Sequence, residues 1–146
     1  AAPRRADRLR RMDSATPSPP HIFACRVYYE DTDLAGIVYY ANYLKFIERA
    51  RSEWVAELGI DQIAMKAGEG VVFAVRRVEA DYLSPARFGD VLEVATSVEQ
   101  ARLARIVLRQ EVRRGGEPLF SALVTLVALG ADGRPQRLPE PLRRTV

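Results

Sequence analysis

An amphipathic helix between residues 43 and 58 is the feature that most limits how this chain can fold. Its apolar residues recur at intervals of three and four, which places them on one face of a helix. They are Tyr43, Phe46, Ile47, Ala50, Trp54, Val55 and Leu58. Asn42 is the predicted N-cap, and Gly59 follows the last apolar residue, where helices commonly end. So broad an apolar face needs a sheet to lie on.

The segments on either side of this helix have the pattern of β-strands. Residues 22–29 are rich in β-branched and aromatic residues, which predicts a first strand. Four later runs of about ten residues also read as strands, and they cover residues 71–83, 91–100, 103–113 and 119–129. Residues 60–70 predict a short extra turn of helix and a loop. This order, with short connections, predicts an α+β fold in which one long helix lies on a five-stranded antiparallel sheet.

A single helix cannot cover all the apolar surface of such a sheet. It protects one face only, so long apolar strands keep an exposed face or edge. A homodimer that pairs strand edges, or that packs two sheets back to back, would bury this surface. The strand pattern therefore favours self-association.

The excess of positive charge is confined to the first 20 residues. These hold five arginines against two aspartates, whereas the rest of the chain has equal numbers of basic and acidic residues. Residues 1–20 are predicted to be a disordered basic arm, with Met12 a candidate translation start. Residues 21–146 are predicted to be a single domain whose Pro- and Arg-rich C-terminal tail lies along the surface. A neutral body of this kind gives no indication of nucleic-acid binding.

The sequence also indicates the compartment. No apolar run is long enough to cross a bilayer, and the arm lacks the apolar segment of a secretory signal. Cys25 is the single cysteine, which excludes an internal disulfide and fits a reducing environment. We therefore expect a cytoplasmic protein that does not insert into membranes.

Several kinds of site can be eliminated. His21 is the single histidine and lies four residues from Cys25 on the predicted first strand, roughly 13 Å along it, so the two cannot act as a base and nucleophile pair. A lone His and a lone Cys do not build a zinc site, and no glycine-rich phosphate-binding loop is present. We expect neither a metal nor a cofactor.

What remains is a carboxylate shortly before the start of the helix. Asp33 lies in the acidic segment 30–36, ahead of Ala35 and Gly36. Unpaired N–H groups at a helix start stabilise negative charge, so peptide donors around residues 37–40 would suit an oxyanion. A carboxylate beside them can attack an acyl carbonyl or activate a water molecule. The same spacing also fits a plain turn in which Asp31 and Asp33 have structural roles only.

The stretch YYEDTDLAGIVYYANYLKFIERARSEW, residues 28–54, resembles the signature of a known family. It contains a D-x-x-G-[IV]-V-[YW] core, then N-Y and E-R-A-R, as in the 4-hydroxybenzoyl-CoA thioesterase family of hotdog-fold proteins. The Tol–Pal-associated acyl-CoA thioesterase branch is the most similar. The resemblance extends over roughly residues 23–130. It implies a hotdog fold, with a curved antiparallel sheet wrapped around the long helix, in a homodimer or homotetramer with active sites between subunits.

The resemblance also implies a reaction and its residues. Members hydrolyse acyl-CoA thioesters without a metal, and the catalytic aspartate falls on Asp33, as nucleophile or general base. Tyr40 takes the position whose backbone N–H polarises the thioester carbonyl, and Tyr29 matches a tyrosine near the site. Many members of the Tol–Pal branch carry histidine at position 40, so this chain departs from them there. Short-to-medium-chain or aromatic acyl-CoA is the expected substrate, and Tol–Pal-associated or lipid-metabolism proteins are candidate partners.

Two other functions stay open. The same fold can serve as a binding module for an acyl thioester or a protein without turnover. A hydratase or dehydratase on this fold would need a catalytic histidine, which the site lacks. Cations that would bind the CoA nucleotide are not distinguished by the sequence, and the candidates are Arg76, Arg77, Arg87, Arg102 and Arg105.

Overall fold

The computed structural model describes residues 18–145, so most of the predicted disordered arm lies outside the described residues. The described residues form an α+β fold. In chain order the elements are β1 (His21–Arg26), a 3-10 helix (Tyr29–Asp31), α1 (Asn42–Glu57), α2 (Gln62–Glu69), β2 (Val72–Tyr82), β3 (Val91–Ala101), β4 (Arg105–Arg114), β5 (Glu117–Leu129), β6 (Pro135–Gln136) and α3 (Glu140–Arg143).

The strands form one antiparallel sheet in the order β1-β3-β4-β5-β2, and β6 pairs with β5. The antiparallel α+β prediction is confirmed, but the predicted number of five strands is wrong by one. The sixth strand forms because the chain turns back after β5, where Gly130 N donates to Arg134 O at 2.9 Å. Two residues are too few to show a strand period in the sequence. The first strand is also shorter than predicted, since it ends at Arg26 ahead of the 3-10 helix.

The long helix α1 packs on one face of the sheet, against β1, β3 and β4. Its Phe46, Ile47 and Ala50 are fully buried and belong to the same core as Leu92 and Leu108 of the sheet. Each large side chain buried in this way contributes about 1.5–3 kcal/mol to stability. The apolar stripe of the sequence is therefore the face that α1 turns to the sheet.

One buried polar residue ties α1 to the sheet. Gln110 of β4 is completely buried, and its Nε2 donates to Ile47 O and to Thr96 Oγ1, each at 2.9 Å. Its Oε1 accepts from Arg51 Nη1 at 2.9 Å. Both N–H groups and the oxygen of this amide have partners, so its burial costs little. The network sets the height of α1 above β3 and β4.

The helix boundaries differ in part from the prediction. Gly59 lies just beyond the end of α1 with φ +84°, as expected for a helix terminator. Asn42 is not the N-cap but the first helical residue, because its side chain is engaged with the preceding loop. Residues 60–70 contain a full helix rather than one turn, since the Asp61 side chain accepts from Ile63 N and Ala64 N at 3.0 Å and caps α2. Within residues 18–145 no helix combines the length and apolarity needed to span a membrane.

The C-terminal segment runs along the surface as expected, with residues 131–137 exposed, but two of its leucines reach the core. Leu138 and Leu142 are buried and complete the core. Leu138 N donates to Leu103 O at 2.9 Å, which holds the segment beside the β3–β4 connection. The sequence did not predict the burial of these two leucines, because so short a Pro- and Arg-rich segment shows no helix or strand period.

Strand β2 forms one edge of the sheet. It pairs with β5 on one side only, and residues 76–82 are exposed. Among them Val78 and Tyr82 lie opposite Val124 and Phe120 of β5, so they share the inward face of the sheet. Because α1 packs on the other strands, this face of β2 is left partly open.

Candidate active site

The two aspartates of the D-T-D sequence have different surroundings. Asp31 is 6% exposed, its Oδ2 accepts from Tyr28 N at 2.8 Å, and its backbone carbonyl accepts from Tyr39 N and Asn42 Nδ2, each at 2.9 Å. Asp33 is exposed, and in the described part of the chain its carboxylate accepts only from Ala35 N, at 2.9 Å to Oδ1. Asp31 therefore closes the loop, and Asp33 is the carboxylate that a substrate can reach.

A tight turn holds Asp33 in place. Asp33 N donates to Ile37 O at 2.9 Å, and Gly36 N donates back to Asp33 O at 3.0 Å. Gly36 has φ +77°, a conformation that other residues adopt at a cost. Val38 N donates to Ala86 O at 2.8 Å and fastens the turn to the segment that follows β2. The position of the carboxylate is thus set by backbone hydrogen bonds.

Unpaired N–H groups lie at the start of α1. Tyr39 N and Asn42 N are both used, by Asp31 O and by Tyr39 O at 2.9 and 2.8 Å. In contrast, no acceptor within residues 18–145 pairs with the N–H of Tyr40 or of Ala41. A helix start also carries partial positive charge. These two N–H groups are suited to bind an oxygen atom on which negative charge develops.

Asp33 and Tyr40 line the same cleft, which has a volume of about 410 Å³. Its walls are tyrosines and aliphatic side chains, chiefly Tyr39, Tyr43, Tyr82, Ile37 and Leu83. Of the described lining residues, Asp33 alone is charged. A mostly apolar cleft with one carboxylate, lined also by Tyr40 with an N–H group unpaired among the described residues, fits an apolar acyl group whose carbonyl lies at the polar end.

Three tyrosines of this cleft, Tyr39, Tyr43 and Tyr82, have raised pKa values. Burial raises the pKa of Tyr43, whose Oη accepts from Ala86 N at 3.0 Å. The pKa of Tyr39 is raised mainly by the neighbouring Tyr40 hydroxyl, and the negative charge of Asp33 acts in the same direction. These raised pKa values keep the hydroxyl groups of Tyr39, Tyr43 and Tyr82 protonated.

A second cleft, of about 490 Å³, lies near the other end of α1. It includes His21, whose Nε2 lies 3.2 Å from Glu57 Oε2, together with Trp54. It contains neither the Asp33 turn nor the free N–H groups at the start of α1. Its size alone does not make it the reactive site.

The structure brings together two of the three predicted site residues. Asp33 and Tyr40 share the cleft, but Tyr29 does not line it. The Tyr29 side chain is 80% exposed and stacks on Phe88, with ring centroids 4.4 Å apart. The five candidate arginines also lie outside the cleft lining.

Sequence reasoning missed the tyrosines that build the walls. The sequence places Tyr43 in the core, which is correct, but Tyr43 also lines the cleft, and its Oη accepts from Ala86 N. Tyr82 was treated as an ordinary strand residue. Tyr82 lies in the segment D-Y-L-S-P-A-R, residues 81–87, which is part of the family resemblance. This position was the one signal in the sequence that could have indicated a role at the site.

Comparison with known proteins identifies the family. The model of the thioesterase superfamily matches residues 35–121, the range that includes the helix start and most of the sheet. The chain belongs to the thioesterase superfamily. It is 37% identical over 119 residues to the acyl-CoA thioester hydrolase YbgC of Escherichia coli. The match covers 80% of this chain and 88% of that protein.

A second relative is more similar over a shorter range. The acyl-CoA thioesterase YbgC of Helicobacter pylori is 48% identical over 88 residues, covering 60% of this chain and 63% of the relative. The match therefore spans less than two thirds of that protein. Both relatives are named as enzymes that act on acyl-CoA thioesters.

Solved structures agree on the fold. A probable thioesterase from Bartonella henselae is 34% identical, with a TM-score of 0.79, and the match covers 82% of this chain and 99% of that one. A mutant 4-hydroxybenzoyl-CoA thioesterase complexed with 4-hydroxybenzoyl-CoA has a TM-score of 0.81 at 23% identity, covering 88% and 99% of the two chains. The predicted hotdog fold is confirmed.

Proposed function

We propose that this protein hydrolyses acyl-CoA thioesters to a carboxylic acid and free CoA, with Asp33 as the catalytic carboxylate. The observation that carries the proposal is that Asp33 and Tyr40 line one cleft, and that the Tyr40 N–H has no acceptor among residues 18–145. Relatives named acyl-CoA thioesterase support the same activity.

The geometry suits a mechanism in two parts. The thioester carbonyl oxygen accepts a hydrogen bond from Tyr40 N–H, which stabilises the negative charge that forms on attack. Asp33 either attacks the carbonyl carbon and forms a mixed anhydride, which water then hydrolyses, or removes a proton from an attacking water molecule. In both routes the C–S bond breaks, the CoA thiolate leaves, and the acyl group takes an oxygen atom that water supplies. Tyr40 acts through its backbone, so this chain needs no histidine at that position.

The walls of the cleft favour short-to-medium-chain or aromatic acyl groups. Four tyrosine rings and several aliphatic side chains offer apolar contact, and about 410 Å³ falls in the range of small-molecule sites. A 1,4-dihydroxy-2-naphthoyl-CoA hydrolase from Thermosynechococcus vestitus is 29% identical over 126 residues, 86% of either chain, which supports an aromatic substrate. Tyr29 is exposed and does not line the cleft, so we propose that it does not contact the reacting atoms and supports the loop by stacking on Phe88.

We also propose that the protein is a homodimer or a homotetramer assembled through β2. This strand is an open edge with exposed apolar side chains, including Val75 and Val78. Tyr82 lies at the end of the same strand and lines the cleft, so a second copy on β2 would also enclose the substrate. Three further expectations stay predictions: a cytoplasmic location, a single domain over residues 21–146, and association with Tol–Pal or lipid-metabolism proteins.

Thiol release from a panel of acyl-CoA thioesters tests the activity. Asp33→Asn keeps the size of the side chain but removes its charge, and kcat is expected to fall about 10²- to 10⁴-fold. Asp132→Asn, at an exposed turn before β6, is the matched control and should retain wild-type rates. Equal rates for wild type and Asp33→Asn would exclude the Asp33 mechanism. If no thioester releases thiol, the alternative of a binding module is favoured.

A further inference from the structure

Tyr82, at the end of β2, reaches across to the start of α1. Its Oη lies 2.8 Å from the backbone carbonyl oxygen of Tyr40 and donates a hydrogen bond to it. In a regular helix Leu44 N would donate to the Tyr40 carbonyl, but here Leu44 N donates to Ala41 O at 3.2 Å. The Tyr40 carbonyl is therefore left for Tyr82. We propose that Tyr82 is a positioning residue that orients the Tyr40 N–H toward the thioester carbonyl. This inference rests on the proposed function of that N–H.

Two peptide planes meet at Tyr40, and each is held by one hydrogen bond. In the plane between Tyr39 and Tyr40, the Tyr39 carbonyl accepts from Asn42 N at 2.8 Å. Because C=O and N–H point in opposite directions in a trans peptide, this bond turns the Tyr40 N–H away from the body of the helix. In the plane between Tyr40 and Ala41, Tyr82 holds the carbonyl. With both planes held, little rotation is left about the Tyr40 Cα, and without Tyr82 the Tyr40 carbonyl loses the bond that holds its plane.

Packing fixes the Tyr82 ring independently of its hydroxyl. The ring meets Tyr43 and Phe120 edge-on, with centroids 5.6 and 5.1 Å apart. The Tyr82 side chain is nevertheless 50% exposed, so water can replace the lost donor when the hydroxyl is removed. Tyr82→Phe therefore removes the orienting hydrogen bond and leaves the fold intact. Burial, followed by the Tyr40 and Tyr43 hydroxyls, raises the pKa of Tyr82, which keeps the hydroxyl protonated as a donor.

Steady-state thiol release from benzoyl-CoA tests this role. In Tyr82→Phe we expect kcat to fall about tenfold while KM stays within about twofold, because the bond orients a transition-state donor and does not bind the ground state. Tyr28→Phe removes the hydroxyl of an exposed tyrosine outside the cleft and is the matched control. In ¹⁵N-labelled protein, Tyr82→Phe should shift the amide resonances of Tyr40 and Ala41, and Tyr28→Phe should not.

The outcomes separate this inference from the proposed function. Unchanged kcat in Tyr82→Phe, with Asp33→Asn inactive, overturns the positioning role alone. A higher KM at unchanged kcat also overturns it, since Tyr82 would then act in acyl binding. If the wild type releases no thiol, the proposed function fails, and the inference fails with it because no reaction is left for the Tyr40 N–H to serve. Unchanged Tyr40 and Ala41 resonances overturn the positioning role in either case.

Discussion

The side-chain Nδ2 of Asn42 lies 2.9 Å from the backbone carbonyl oxygen of Asp31, in a buried hydrogen bond. This bond joins the first residue of α1 to the last residue of the 3-10 helix. The same carbonyl accepts from Tyr39 N. The loop that carries Asp33 is therefore closed at both ends, which limits the positions that its carboxylate can take.

Removal of the Asn42 amide should loosen this loop. Asn42→Ala leaves the buried Asp31 carbonyl with one donor, so we expect a loss of about 1–2 kcal/mol in the free energy of unfolding and a lower kcat. Urea denaturation and thiol release measure the two effects. Gln62→Ala, at an exposed amide in α2, is the control and should change stability by less than about 0.5 kcal/mol. An Asn42→Ala variant as stable as the wild type would contradict the proposed role of this bond.

Asp90 should make the stability depend on acid pH. Burial opposes its ionisation, but the Arg87 N–H and the Arg114 guanidinium, each 2.8 Å from Oδ2, hold its pKa below the ordinary value of 3.8. A depressed folded pKa stabilises the protein above the unfolded pKa, and this contribution disappears as the pH falls through the folded value. The difference in unfolding free energy between wild type and Asp90→Asn should therefore shrink below about pH 4.

A double-mutant cycle checks the cause of this dependence. Arg114→Gln removes the guanidinium, so it should weaken the same acid sensitivity. The double variant should lose little more free energy of unfolding than either single variant. Urea denaturation at several pH values measures all four proteins. Parallel stability curves for wild type and Asp90→Asn down to about pH 3 would show that the carboxylate is not coupled to folding.

The open edge at β2 predicts how the assembly can be broken. Val78 is 39% exposed and lies on the inward face of β2, so Val78→Lys should separate a β2 dimer while leaving the subunit folded. Sedimentation should then report half the wild-type mass or less, and thiol release should fall. Val91→Lys changes an exposed valine of β3, away from this edge, and should leave the mass unchanged. A Val78→Lys protein of wild-type mass and activity would place the interface elsewhere.

Local patterns in the sequence predict the elements of this fold well. The apolar stripe recovers the body of α1, and the four long runs recover β2 to β5, because helix and strand periods depend on neighbours a few residues apart. The family resemblance singled out Asp33 and Tyr40, which the structure places in one cleft. The strand β6 was missed, since two residues carry no period.

The failures concern residues whose partners are distant in the chain. Asn42 looked like an N-cap, but its amide serves Asp31, eleven residues away. Tyr29 stacks on Phe88 and does not line the cleft, and its part in the reaction stays a prediction.

The chain's own order of residues thus specifies the helix, the long strands and the segment that carries Asp33, the proposed catalytic carboxylate. The folded sheet alone decides that Tyr82 meets Tyr40, 42 residues earlier, and that Tyr40, whose N–H has no acceptor among the described residues, lines one cleft with Asp33. Such contacts depend on strand register and on which edge of the sheet faces the helix start, and no local period encodes either one.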